Sequence, residues 1–203
     1  TNSIDVPTTG LSFQPTSLGG SDAFVASFAD ASLQTFRYAT YLGGALRDFS
    51  GSEFERNGAL AIRPNGNAVV IGSTASPDFP TNAEYWRRAS TAAGRGFITE
   101  LNPLGTGIVR SMLIPSPHSV AVLQSGAVAV STSMSQSSGL TFGGQLDAET
   151  RTIGSGLIIF NPVWGVQLAS MFNSRRQITR IRAFGEEVYG LSHMVACSPY
   201  PSC

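Results

Sequence analysis

One strand–turn–strand pattern occurs three times along the chain at almost constant spacing. Ile62-Arg-Pro-Asn-Gly66-Asn-Ala-Val-Val-Ile-Gly-Ser-Thr74 returns as Val122-Leu-Gln-Ser-Gly126-Ala-Val-Ala-Val-Ser-Thr132, and again as Ile181-Arg-Ala-Phe-Gly185-Glu-Glu-Val-Tyr-Gly-Leu-Ser192. In each copy a glycine closes a tight turn that calls for a positive φ. A second hairpin keeps the same register. Gly96-Phe-Ile-Thr-Glu-Leu-Asn-Pro103 returns as Gly156-Leu-Ile-Ile-Phe-Asn-Pro162, and Asp22-Ala-Phe-Val-Ala-Ser-Phe28 foreshadows both. Each is followed by a turn and another apolar strand, at Phe36 to Leu42, Gly107 to Leu113 and Gly165 to Phe172. A third element, Ile4 to Thr9, matches Pro77 to Asn82; Gly139 to Gly144 stands in its place in the last repeat.

The repeating unit is therefore four short strands in about 60 residues, and no segment has a helical period. The spacing predicts an all-β, β-propeller-like fold of about three four-stranded blades. Residues 1–57 supply an outer half blade and an inserted loop, 58–113 a blade, 118–172 a blade, and 178–203 an inner half blade with a tail. The outer pair is expected at 22–28 and 35–42, the inner pair near 178–183 and 187–193. Two whole blades and two complementary halves result. An unfinished blade leaves backbone donors and acceptors open on its edge. Pairing between chains into a ring or filament is the leading expectation. Closure within one chain and completion by a segment outside these residues are the alternatives.

Composition narrows the function classes. The 203 residues carry 13 basic and 13 acidic side chains, and all 13 basic ones are arginine. A balanced charge gives no footprint for nucleic acid or an anionic membrane. Charged residues make up 13% of the chain, against about a quarter in ordinary domains. No apolar run approaches the ~18 residues of a membrane span. The two cysteines, Cys197 and Cys203, enclose Ser-Pro-Tyr-Pro-Ser. They are expected to form a disulfide that staples the tail, which places the protein in an oxidising, extracellular compartment. Too few ligands accompany them for zinc.

The stretches Phe13-Gln-Pro-Thr16, Gly20-Ser-Asp-Ala-Phe-Val-Ala26, Tyr38-Ala-Thr-Tyr-Leu-Gly-Gly44 and Gly66-Asn-Ala-Val-Val-Ile-Gly-Ser-Thr74 carry a family resemblance. The chain resembles the secreted bacterial β-propeller repeat family, often called SBBP repeats. That resemblance implies a secreted or surface propeller and no catalytic residues. Where the family has an aspartate in the first strand of the blade, Arg63, Leu123 and Arg182 stand here.

Candidate contact residues lie in two loops and a turn. The insertion Ala45 to Arg56 carries Arg47, Asp48, Glu53 and Glu55, and inserted loops on a rigid scaffold often hold function. Tyr85-Trp86-Arg87-Arg88 places aromatics beside arginine, a composition suited to stacking on sugars or to a protein contact. Phe13-Gln14 occupies the same place in the first repeat, which favours a packing plug. Trp164 is expected in a hairpin turn, exposed. On a strand Ile178, Arg180 and Arg182 share one face and Thr179 and Ile181 the other; Arg175 to Arg182 is read as a solvent-facing strand side or an inter-blade seam, with an anion or acidic-partner patch as the alternative. His118 and His193 lack a nucleophile and an acid at a recognisable spacing. No cofactor and no metal site are expected.

The expected function is a non-enzymatic extracellular structural or assembly protein, a homo-oligomer or filament that completes blades head to tail. The alternative is a carbohydrate- or surface-binding propeller, lectin-like, using Tyr85, Trp86, Arg87, Arg88 and Trp164 with Arg47 and Asp48.

Overall fold

The structure, a computed structural model, describes residues 1, 3–50, 59–83, 95–134, 154–172 and 176–194. Within them the chain is all-β, with no helix. β1 (Ala23–Phe28) and β2 (Phe36–Leu42) make a first sheet. In the second sheet β3 (Asp48–Ser50) and β4 (Leu60–Ile62) lie along one edge of β5 (Ala68–Thr74). β5 pairs with β6 (Arg95–Leu101), and β6 with β7 (Ile108–Pro115). The third sheet runs in chain order through β8 (Pro117–Val122), β9 (Val128–Met134), β10 (Gly154–Phe160) and β11 (Val166–Phe172). The fourth is β12 (Arg176–Phe184) with β13 (Glu187–Met194). Every strand pairing is antiparallel.

Local chemistry explains the repeating hairpins. Gly66 and Gly126 both have φ +85° and close three-residue turns, donating to the carbonyls of Arg63 and Leu123. Glycine enters that left-handed region without steric cost. The β6–β7 and β10–β11 turns use Asn-Pro. The Asn102 and Asn161 side chains accept backbone N–H bonds from residues two and four further on, Leu104 and Thr106 in one, Val163 and Gly165 in the other. Such turns mimic a backbone turn and leave the register fixed. A register shift follows at the same place in the three outer hairpins, at Ser27/Phe28, Glu100/Leu101 and Ile159/Phe160. These shared bulges make β1 the counterpart of β6 and β10.

Side-chain alternation stacks the sheets. Ala23 and Val25 of the first sheet pack with Val70, Phe97 and Leu101 of the second. The opposite face of the second sheet sends Val69, Ile71 and Ile98 against Val120, Val128 and Val130 of the third. The other face of the third sheet, with Ala121, Ala129 and Leu157, meets Ile181, Ala183 and Val188 of the fourth.

The structure corrects three expectations. Part of the insertion expected as a loop, Asp48 to Ser50, is a strand, because it continues along the half of β5 that β4 leaves open. The third hairpin turn is one residue shorter: Phe184 pairs with Glu187 across Gly185 and Glu186. Phe184, rather than Arg182, therefore stands where Arg63 and Leu123 stand. Finally, a bulge between Ile178 and Arg180 reverses the strand phase. Ile178 joins Ile181 against the third sheet, while Arg180 and Arg182 are exposed on the opposite face.

Phe97 is fully buried and stacks on Phe79 at 4.4 Å between ring centroids. Phe97→Ala is expected to lower unfolding free energy by about 3–5 kcal/mol. Val163→Ala, at a site 78% exposed, is expected to change it by less than about 0.5 kcal/mol. Urea denaturation of the two variants checks both.

Candidate functional site

Two strands end the stack with an open edge. Among the described residues β13 pairs only with β12, and β1 only with β2. The fourth sheet corresponds to the first two strands of the complete units, and the first sheet to the last two. Beside the open edge of β13 the outward face of the fourth sheet carries Tyr189 at 57% and Leu191 at 64% exposure, with Arg180 and Arg182 beside them. On the second sheet Leu60 and Ile62 of β4 are also exposed, at 46% and 55%. Exposed apolar side chains in a row on a sheet face, next to unpaired backbone, make this a candidate interaction surface.

Two buried polar nodes hold the stack in place. In the first, Glu100 on β6 is 1% exposed. Its Oε1 accepts from Asn67 Nδ2 at 2.6 Å and faces Arg63 Nε at 3.5 Å; its Oε2 accepts from Trp164 Nε1 at 2.6 Å. Arg63 Nη1 donates to the Pro162 carbonyl at 2.9 Å, and its guanidinium lies 5.0 Å from the Trp164 ring centre. Arg63, Asn67 and Glu100 come from the second sheet and its turn, Pro162 and Trp164 from the turn of the third. Trp164 is therefore not the exposed aromatic that its turn position suggested: it is 7% exposed and adopts φ +69°, the place Gly105 takes in the preceding unit at φ +65°. Burial of the ring and the bond to Glu100 offset the steric cost of a left-handed tryptophan.

The second node sits where the first and second sheets meet. Asp22 and Asp48 are both fully buried. Asp22 Oδ2 accepts from Leu18 N–H at 2.8 Å and Gln14 Nε2 at 3.1 Å. Asp48 Oδ2 accepts from Gly44 N–H and from Ser76 Oγ, both at 2.7 Å. Four successive amides after β2 are bound by side chains: Gly43 by Gln14, Gly44 by Asp48, Ala45 by Asp78, Leu46 by Ser76. A Cβ at Gly43 would lie 2.4 Å from Asp22 Oδ1 and 2.9 Å from Asp48 Oδ2, so glycine is required there. Each aspartate keeps its Oδ1 without a hydrogen-bond partner among the described residues. Asp48, a sequence candidate for an external contact, is thus a buried loop anchor. Its neighbour Arg47 is exposed, with its guanidinium 5.1 Å from the Phe49 ring centre.

Tyr85, Trp86, Arg87, Arg88, Glu53, Glu55, Arg175, Cys197 and Cys203 lie outside the described residues. Phe13, the counterpart of the Tyr85-Trp86 pair in the first repeat, packs against the core between the first two sheets, and Gln14 is buried. His118 Nε2 lies 2.7 Å from Ser133 Oγ, a cross-strand contact between β8 and β9 that sequence spacing does not reveal. An open cleft of about 380 Å³ lies between the turns after β4 and β8, with Arg63, Pro64, Leu123 and Gln124 in its wall. Among the described residues no three His, Cys, Asp or Glu side chains are grouped to hold a metal ion, and no helix is long and apolar enough to cross a membrane.

No family model matches the chain, and no curated protein matches it.

Removing one partner of a buried ion pair leaves the other charge uncompensated. Arg63→Met is expected to cost about 3–5 kcal/mol, and the Arg63→Met/Glu100→Gln double variant to recover part of that loss in a denaturation cycle. Asp48→Ala strips two donors of their acceptor, for about 1–3 kcal/mol each. Asp48→Asn, which keeps one acceptor oxygen, is expected to lose less in the same measurement.

Proposed function

We propose that this chain is a non-enzymatic extracellular structural protein whose copies associate head to tail. In this reading the open edge of the fourth sheet of one copy takes up the first sheet of the next. The completed four-stranded sheets then stack as propeller-like blades in a ring or fibre. One observation carries the proposal: among the described residues the stack holds the first half of a unit at one end and the second half at the other, each with an open edge. Backbone hydrogen bonds supply the affinity in strand addition, and side-chain fit supplies the choice of partner. A head-to-tail interface closes into a ring or continues as a fibre according to the rotation between copies. The extracellular placement rests on the resemblance to secreted propeller repeats and on the Cys197/Cys203 spacing. The glycan-binding alternative loses one of its aromatics, since Trp164 is spent inside the stack.

Light scattering across a hundredfold range of concentration tests the proposal. The expected result is a mass that rises with concentration above the 21.3 kDa of one chain. A constant single-chain mass up to about 100 μM, an affinity weaker than ~5.5 kcal/mol, overturns it.

A further inference from the structure

The two complete sheets show which residues meet when a second strand pairs with a third. Ala68 pairs with Leu101, Val69 with Glu100, Val70 with Thr99 and Ile71 with Ile98. In the next unit Val128 pairs with Phe160, Ala129 with Ile159, Val130 with Ile158 and Ser131 with Leu157. The two sets superpose, with the outer bulge at the same place in each. β13 aligns with β5 and β9 through the end of its turn, which puts Glu187 where Asn67 and Ala127 stand. β1 aligns with β6 and β10 through its own bulge, which puts Phe28 where Leu101 and Phe160 stand.

Face chemistry supports the same alignment independently. Val188, the counterpart of Val128, packs inward with Ala183 and Ile181 against the third sheet. Tyr189 and Leu191 then take the places of Val69 and Ile71. In the complete pair of sheets Val69 and Ile71 bury themselves against Val120 and the half-buried Val122. The counterparts of Val120 and Val122 on the second sheet are Leu60 and Ile62, and both are exposed. Among the described residues Tyr189 and Leu191 thus lack a covering sheet, and Leu60 and Ile62 a covering strand pair.

We propose a two-part docking surface for a second copy of this chain, resting on the self-association reading. In the first part β13 of one copy pairs antiparallel with β1 of the next, Val188 opposite Phe28, Tyr189 opposite Ser27, Gly190 opposite Ala26 and Leu191 opposite Val25. In the second part Tyr189 and Leu191 of the first copy cover Leu60 and Ile62 of the next. A second copy is the occupant argued for because this chain carries both complementary surfaces, at opposite ends of its stack and, among the described residues, unpaired with each other. A slip of one residue would send every apolar side chain of β13 to the wrong face, which makes the register specific.

Cysteine cross-linking tests the proposal. Ser27→Cys chains are mixed with Tyr189→Cys chains and oxidised, and the linked peptides are identified by mass spectrometry, which tells them from Cys197 and Cys203. Directly opposed strand residues lie within disulfide reach. The expected result is a link between chains for this pair and none when Ala26→Cys replaces Ser27→Cys. Preferential linking of the Ala26→Cys variant overturns the register while association stands. A link confined to single chains of the double variant overturns the second copy as partner and points to closure within one chain. No link with a rising light-scattering mass overturns this surface alone; no link and a constant mass overturns the association as well. Hydrogen exchange of the unsubstituted protein covers the case of a variant that does not fold. Protection that grows with concentration is expected at 24–28, 60–62 and 188–192, and its absence there overturns the proposal. A Leu60→Asp/Ile62→Asp variant is expected to weaken association about tenfold or more without lowering the thermal midpoint of the monomer; unchanged association removes the second part of the surface.

Discussion

Side chains that alternate across a pleated strand oblige each sheet of this chain to find cover on two sides. Val70 and Phe97 point toward the first sheet, while Val69, Ile71 and Ile98 point toward the third. That is why the middle strands read as continuous apolar runs such as Ala68-Val-Val-Ile71 rather than as an alternating pattern. The need for two neighbours per sheet sets the stacking order; the second and third sheets have a neighbour on both faces, but the two-stranded first sheet leaves β4 of the second uncovered. At the ends of the stack the need is met, among the described residues, on one side only. The exposed Tyr189, Leu191, Leu60 and Ile62 follow from that single constraint.

Polar nodes fix how the sheets meet. Apolar packing alone tolerates sliding, because hydrophobic contact is non-directional. Glu100 has two oxygens and three partners, Arg63 and Asn67 from the β4–β5 turn and Trp164 from the turn of the third sheet, so a shift of the third sheet on the second breaks the Trp164 bond in a water-poor site. The Gly43-Gly44 loop does the same between the first and second sheets, with Gln14, Asp48, Asp78 and Ser76 each holding one amide.

Local chemistry made much of the fold legible from residue order. The spacing of Gly66 and Gly126, and the Asn-Pro pairs at 102–103 and 161–162, locate the turns because one residue type satisfies each backbone geometry. Length-changing irregularities stayed hidden. The bulge at Ile178 to Arg180 and the shortened turn at Gly185 each move the phase by one residue, and no periodicity reports a single-residue slip. Long-range polar contacts were equally silent. Arg63, Glu100 and Trp164 meet only because two sheets stack, so Trp164 read as an exposed turn aromatic and Asp48 as a loop contact. The two-stranded sheets of β1–β2 and β12–β13, by contrast, are legible in the hairpin patterns themselves.

In the proposed assembly, a half unit at each end of one stack would make association a matter of geometry more than of a dedicated binding loop. The sheet pairs already inside the chain are the template for the proposed joint, which would need no new type of contact. Electron microscopy of the purified protein above its association concentration is the most direct measurement of this claim. The account predicts closed two-chain rings or fibres in which four-stranded sheets repeat without a break from one chain to the next. Discrete particles of one chain each, with both end sheets still two-stranded, would contradict it.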